Sequence, residues 1–247
     1  MNKIAMGIGL LAVIVLQTQV QAASTPEILA NPSRLESDLE RDKRSQPQII
    51  VELLALKAGD RVADIFAGGG YYSEILGQVV APDGEVLMHN NLAYLSYVGG
   101  ELDKRFSGRD VLGVKRHDRE VDSLDLGEGT LDAAMIIMSY HDLYHTVEGW
   151  PKIDAANFIG QIVRALKPGG RFLIVDHVAA TGTGKDSAQD LHRIEEAFAR
   201  SDVESYGLRY REASDALRNG EDDYSLTVFD PKVRGKTDRF ILVFEKP

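Results

Sequence analysis

Val62-Ala63-Asp64-Ile65-Phe66-Ala67-Gly68-Gly69-Gly70-Tyr71-Tyr72-Ser73-Glu74-Ile75-Leu76 decides how this chain folds. A short apolar run passes through three consecutive glycines into a helix-like pattern, which spells strand, tight turn, helix. Glycines at such a turn accept φ > 0 and let a ligand approach bare backbone. The following helix directs unpaired N–H groups at the same spot. A polar ligand with an anionic end suits that arrangement. Three glycines on their own suit a plain connector equally well.

Working outward, strand and helix patterns alternate. Upstream, Ser45 and Gln48 fit a capping box with Pro47 in the first turn. That helix carries Ile49, Ile50, Leu53 and Leu54 on one face and stops at Lys57-Ala58-Gly59-Asp60. Downstream, strands are expected over residues 85–88, 111–115, 131–138, 172–175, 206–211 and 240–244. Helices are expected over 92–106, 154–166 and 186–200. The apolar side of the 92–106 helix would be Leu92, Leu95, Val98, Leu102 and Phe106. The continuous apolar run 131–138 suits a strand covered on both faces. The alternation predicts an α/β fold, a mostly parallel sheet wound on both sides. Ligands of such sheets sit at the carboxyl ends of the strands, near the switch point.

Charge and composition narrow the partners. With 28 basic and 38 acidic residues, the net charge is −10. A surface this acidic repels phosphate backbones, so nucleic acid is not an expected partner. There are no cysteines, which excludes disulfides, thiolate metal ligands and lipidation at cysteine. Lys3, an apolar run over 4–16 and Val20-Gln21-Ala22 read as a secretory signal peptide (residues 1–22) cleaved after Ala22 or Ala23. Its core is shorter than the ~20 residues a membrane span needs. A periplasmic or secreted protein without a stable membrane anchor after cleavage is therefore expected. Residues 23–33 read as a linker, 34–247 as the domain, and the charged stretch 35–44 as a solvated helix face.

Every predicted strand end is polar. Gly68 and Gly70 follow the first; His89, Asn90 and Asn91 the second; His117 and Asp118 the third. Ser139, Tyr140, His141, Asp142 and Tyr144 follow the fourth, and Asp176 and His177 the fifth. The chain at this point resembles a class I S-adenosylmethionine-dependent methyltransferase, in particular a bacterial group of predicted methyltransferases with signal peptides. The resemblance runs from about Arg34 to Pro247. It rests on Val62-Ala63-Asp64 with Gly68-Gly69-Gly70, on Leu166-Lys167-Pro168-Gly169-Gly170-Arg171-Phe172-Leu173-Ile174-Val175, and on Arg239-Phe240-Ile241-Leu242-Val243-Phe244. It implies a Rossmann-like, doubly wound, seven-stranded sheet with an antiparallel last strand, and S-adenosylmethionine as cofactor. It implies further that Asp64, Gly68, Gly69 and Gly70 surround the methionine end. Asn90 would stand at the ribose, Asp118 at the adenine amino group, and Ser139 to Asp142 beside the methyl group and a small-molecule substrate. Tyr71 would either line the pocket or pack the helix start.

Two positions depart from the family pattern. Its first glycine is Phe66 here, and its ribose acid is Asn90, which offers one acceptor oxygen and no charge. His141 is the expected base, since an ordinary imidazole titrates near pH 6.5, with Asp142 or Asp176 orienting it and Tyr140 beside it. Asp142, Asp176 and His177 stand where the resemblance implies that some small-molecule O-methyltransferases hold a divalent cation, and His192 could bring a further ligand; hydrogen bonds that tether loops are the simpler account, and no metal centre is expected. A non-catalytic ligand-binding protein on the same scaffold is the alternative. A nicotinamide enzyme fits least, because Gly68-x-Gly70-x-x-Ser73 lacks the third glycine and Asn90 the ribose acid.

Overall fold

The computed structural model describes residues 24–247; the expected leader lies outside the described residues. In chain order the elements are α1 (Thr25–Leu29), α2 (Glu36–Ser45), α3 (Pro47–Leu54), β1 (Arg61–Ile65), α4 (Tyr71–Val80), β2 (Glu85–Asn90), α5 (Leu92–Phe106), β3 (Val114–Asp118) and β4 (Leu131–Ile137). A 3-10 turn (His141–Leu143) follows. Then come α6 (Ala155–Ala165), β5 (Leu166–His177), α7 (Ser187–Leu191), α8 (Glu196–Ser205), β6 (Arg209–Ser214) and β7 (Arg239–Glu245). The strands form one sheet in the order β3-β2-β1-β4-β5-β7-β6. β1 to β5 pair in parallel, and β7 enters antiparallel between β5 and β6.

Side-chain alternation along the strands divides the core in two. Ala63, Ile65, Ala134 and Ile136 face Phe158, Ile159 and Ile162 of α6. Val62, Ala133, Met135 and Leu173 face Ile50, Val51 and Leu54 of α3 and Ile75, Leu76 and Val80 of α4. The register pairs Ile65 with Ile136, so the ends of β1 and β4 lie side by side. This is the switch point, because the chain leaves it toward β2 on one side and β5 on the other.

Several local expectations are corrected. Residues 25–29, expected as linker, form a helix: Ser24 and Glu27 close a capping box and Ile28 is buried in the α3/α4 core. The charged α2 is not wholly solvated. Asp38 is buried against Arg105, and Asp42 pairs with buried Arg34 at 2.6 Å. No Ser45 capping box forms, because Gln46, in the left-handed conformation (φ 46°), is the cap of α3. α5 has its expected bounds and buries Leu102 with Leu95, Val98 and Phe106 partly covered, but Leu92 is exposed and Arg105 joins the inward side. The helix expected over 186–200 is broken into α7 and α8 at His192 (φ 53°) and the buried Arg193. β5 begins at Leu166 and β6 at Arg209, with Gly207 (φ 96°) making the turn before β6. Among the described residues no helix is long and apolar enough to cross a membrane.

Candidate functional site

The glycine turn leaves β1 with Phe66 at φ 52°, a left-handed conformation that glycine adopts more readily. Its ring turns into the core, stacked on Tyr94 at 5.0 Å and Phe158 at 5.3 Å, with Trp150 at 5.7 Å. Asn90 is engaged by the turn itself: Gly68 N–H donates to its Oδ1 at 2.9 Å and its Nδ2 donates to Gly68 O at 3.0 Å. α5 lies across the outside. Val98 stands beside Gly68, Glu101 occupies the space a Cβ at Gly69 would need, and Met88 and Arg105 do the same at Gly70. Arg105 Nε donates to Gly69 O, while Nη1 donates to Asp38 at 2.8 Å and also to Glu74. Tyr71 packs the helix start: its hydroxyl donates to Asp42 at 2.7 Å and Arg41 covers its ring at 4.2 Å.

Asp64 lies beneath the first turn of α4, accepting a hydrogen bond from Ser73 Oγ at 2.6 Å. Burial pushes its carboxyl up to about 7, against the Ser73 hydrogen bond and the more distant Arg41 and Arg105 charges. The native state therefore keeps a proton that the unfolded chain releases near pH 4, and stability falls as pH rises from about 4 to 7. Asp64→Asn keeps an acceptor for Ser73 and removes the ionisation. Relative to the parent, the variant is expected to gain roughly 2–4 kcal/mol between pH 4 and pH 8. Parallel stability–pH profiles in chemical denaturation would show an ordinary carboxylate instead.

Beyond β2 and β3, two buried polar atoms lack partners: Asp118 Oδ1 and Asn91 Nδ2. Asp118 Oδ2 is held by Arg116 at 2.6 Å, and Asn91 Oδ1 caps α5 by accepting from Tyr94 N at 2.8 Å. Residues 90 and 118 are paired in register, so the orphaned atoms belong to neighbouring strand ends. Buried polar groups without partners are uncommon enough to call for an explanation.

At the ends of β4 and β5 lies a cavity of about 500 Å³. Tyr94, Tyr97, Val147, Trp150 and Phe229 supply apolar walls, and His141, Asp142, His145, His177 and His192 supply polar ones. Tyr97, Val147 and Phe229 are exposed at its mouth. Asp176 fixes His141 twice, accepting from its backbone N–H at 2.9 Å and facing Nδ1 at 2.8 Å; Nε2 faces Asp142 Oδ1 at 3.3 Å. Burial disfavours the imidazolium, but the Asp176 and Asp142 charges outweigh it and hold the ring near about 9. In that state His141 keeps a proton at neutral pH, unlike an ordinary imidazole. Asp142 Oδ2 accepts from the Tyr94 hydroxyl at 3.1 Å, and that hydroxyl also meets Ser139 Oγ. Burial holds His177 neutral, down to about 3, with Nδ1 on Thr237 at 2.7 Å.

The structure thus brings His141, Asp142 and Ser139 together. It does not bring Tyr140 to the cavity, since that hydroxyl donates to Asp202 at 2.5 Å. Gly68, Gly69, Gly70, Asn90 and Asp118 do not line the cavity; Tyr94, which does, stacks on the Phe66 ring. Sequence reading missed Tyr94, Trp150, His145 and the free amide of Asn91. The spacing Asn91-x-x-Tyr94, an N-cap directly after the glycine-locking Asn90, is the signal that could have drawn attention to the last.

Strand order, the antiparallel β7 and the glycine turn together define the Rossmann-like fold of class I S-adenosylmethionine-dependent methyltransferases. In sequence the chain is similar to the ubiquinone/menaquinone biosynthesis C-methyltransferase UbiE of Pseudomonas paraeruginosa, 26% identical over 163 residues. That match covers 63% of this chain and 59% of the relative, so the chain spans about six tenths of the relative's length. In structure it is similar to a SAM-dependent methyltransferase from Aquifex aeolicus, with TM-score 0.58, 18% identity, and coverage of 90% and 98% of the two chains. It is also similar to geranyl diphosphate C-methyltransferase from Streptomyces coelicolor A3(2), with TM-score 0.56, 12% identity, and coverage of 90% and 88%. No family model matches the chain.

Proposed function

We propose that the protein is a SAM-dependent methyltransferase acting on an apolar small molecule with one polar end. The observation that carries this reading is the orphaned pair beyond β2 and β3. Asp118 Oδ1 is a buried acceptor and Asn91 Nδ2 a buried donor, at the rim where doubly wound sheets hold ligands. An adenosine offers the complementary amino group and acceptor atoms, so the residues present fit the cofactor at that end. The sequence similarity to a C-methyltransferase supports the same class.

When bound, the cofactor supplies a methyl group on a sulfonium sulfur. The chain's own contribution is placement. Asp118 and Asn91 hold the adenosine, and Gly68 to Gly70 receive the amino-acid end. For that end to enter, Val98 and Glu101 of α5 must lift from the turn. Tyr94 orients Asp142 in the cavity wall, and the aromatic walls take an apolar substrate.

Calorimetric titration of SAM and of S-adenosylhomocysteine tests the reading. One-to-one binding is expected. Asp118→Ala should weaken it roughly tenfold, as loss of a charged hydrogen-bond acceptor implies, without lowering the melting temperature. No heat with either ligand would discard the transferase. That result would favour the second reading, a binding protein on this scaffold, for which the engagement of Asn90 with Gly68 argues.

A further inference from the structure

We infer that His141, Asp142 and His192 form a binding site for one divalent first-row transition metal ion, facing the cavity. The inference does not depend on the cofactor. His141 Nε2 lies 3.3 Å from Asp142 Oδ1, and His192 Nδ1 lies 3.8 Å from the same oxygen. All three donor atoms fall within 4.8 Å of one another. Ligand bonds of about 2.0–2.2 Å around a tetrahedral ion set donors roughly 3.3–3.6 Å apart, so small side-chain rotations close the triangle.

The surroundings are built as metal ligands require. A ligating imidazole gives its other nitrogen to a carboxylate or carbonyl, which fixes ring and tautomer. Asp176 does this for His141: it faces Nδ1 at 2.8 Å and is itself held by the backbone N–H groups of His141 and His177. Tyr94 takes Asp142 Oδ2 and leaves Oδ1 toward the two rings. His192 reaches the site because it adopts φ 53° at the α7–α8 break. Its ring packs between His145 at 4.4 Å and Phe229 at 4.7 Å. His145 Nδ1 is buried without a partner beside the triplet.

Two imidazoles and one carboxylate suit zinc or iron(II) better than magnesium or calcium, which prefer oxygen ligands. Three protein ligands leave a coordination position open, and all three residues line the cavity. The ion would replace the proton of His141 with a larger positive charge at the same spot. A small molecule carrying an anionic or carbonyl oxygen is the ligand that position would take.

The test is titration of the chelator-stripped protein with Co²⁺, followed by Zn²⁺ competition. The expected result is one equivalent of Co²⁺ with the visible absorption of a low-coordinate nitrogen–oxygen site, displaced by Zn²⁺. His192→Ala, which removes a partly exposed ring, should weaken binding at least 100-fold with an unchanged circular dichroism spectrum. Asp176→Asn, a positioning change, should weaken it roughly 10–100-fold and shift the cobalt bands. Failure of the parent protein to bind one equivalent, or equal affinity in His192→Ala, would reduce the cluster to hydrogen-bonded tethers. Because neither SAM nor its product is present, a failed cofactor titration leaves this result unaffected.

Discussion

Arg193→Ala is expected to cost about 3–5 kcal/mol and lower the melting temperature by on the order of 10 °C. Arg193 is fully buried at the α7–α8 break. Its Nη1 and Nη2 donate to Asp222 at 2.9 and 3.0 Å, and further donors reach Val178 O and Leu226 O, both at 2.9 Å. Asp222 also accepts from the Asp238 backbone N–H at 2.7 Å. One guanidinium therefore ties the end of β5 to the 215–238 segment, which carries Val228 and Phe229 over the cavity. Removing it leaves a carboxylate buried without its charge partner, and that unpaired charge, not the lost attraction, sets the size of the effect. Arg193→Met with Asp222→Leu removes both charges and should recover part of the loss. A single variant losing less than about 1 kcal/mol in urea would show that the pair is not what anchors the segment.

Phe66→Ala is expected to destabilise by about 3–5 kcal/mol, since it empties a stack that Tyr94, Phe158 and Trp150 close on. Phe66→Gly should be milder than the alanine variant by roughly 1 kcal/mol, because the backbone stands at φ 52° and glycine carries no Cβ penalty there. Equal losses in chemical denaturation would mean the left-handed backbone relaxes in the variant. The same ring leads into the glycine turn and stacks on Tyr94, which lines the cavity. Calorimetry of Phe66→Gly with S-adenosylhomocysteine is therefore expected to show tighter binding than the parent.

The path from residues to site was uneven. The strand–turn–helix at 62–76 and the apolar run at 131–138 were legible because period and punctuation are local properties. Gly70 at φ 79° and β4, buried at five of its seven positions, are their structural counterparts. The burial of Arg105 on α5 was not legible, because residues far away in sequence decided it. Arg105 turns inward to Asp38 of α2 and Glu74 of α4, partners that only the closed fold brings beside it. The state of His141 was likewise hidden. Its ordinary pKa follows from the residue type, whereas the shift to about 9 follows from Asp176, thirty-five residues away, and from burial.

By itself, then, the sequence determined the sheet, the place of the glycine turn and the rim on which polar residues gather. It did so because backbone propensity and hydrophobic period act over a few residues. Tertiary structure alone decided what those rim residues do. It spent Asn90 on Gly68 while leaving Asn91 and Asp118 each with an unanswered atom, and it gathered His141, Asp142 and His192 around one point. Hydrogen-bond satisfaction and charge pairing are settled by neighbours in space, and those exist only once the chain has closed on itself.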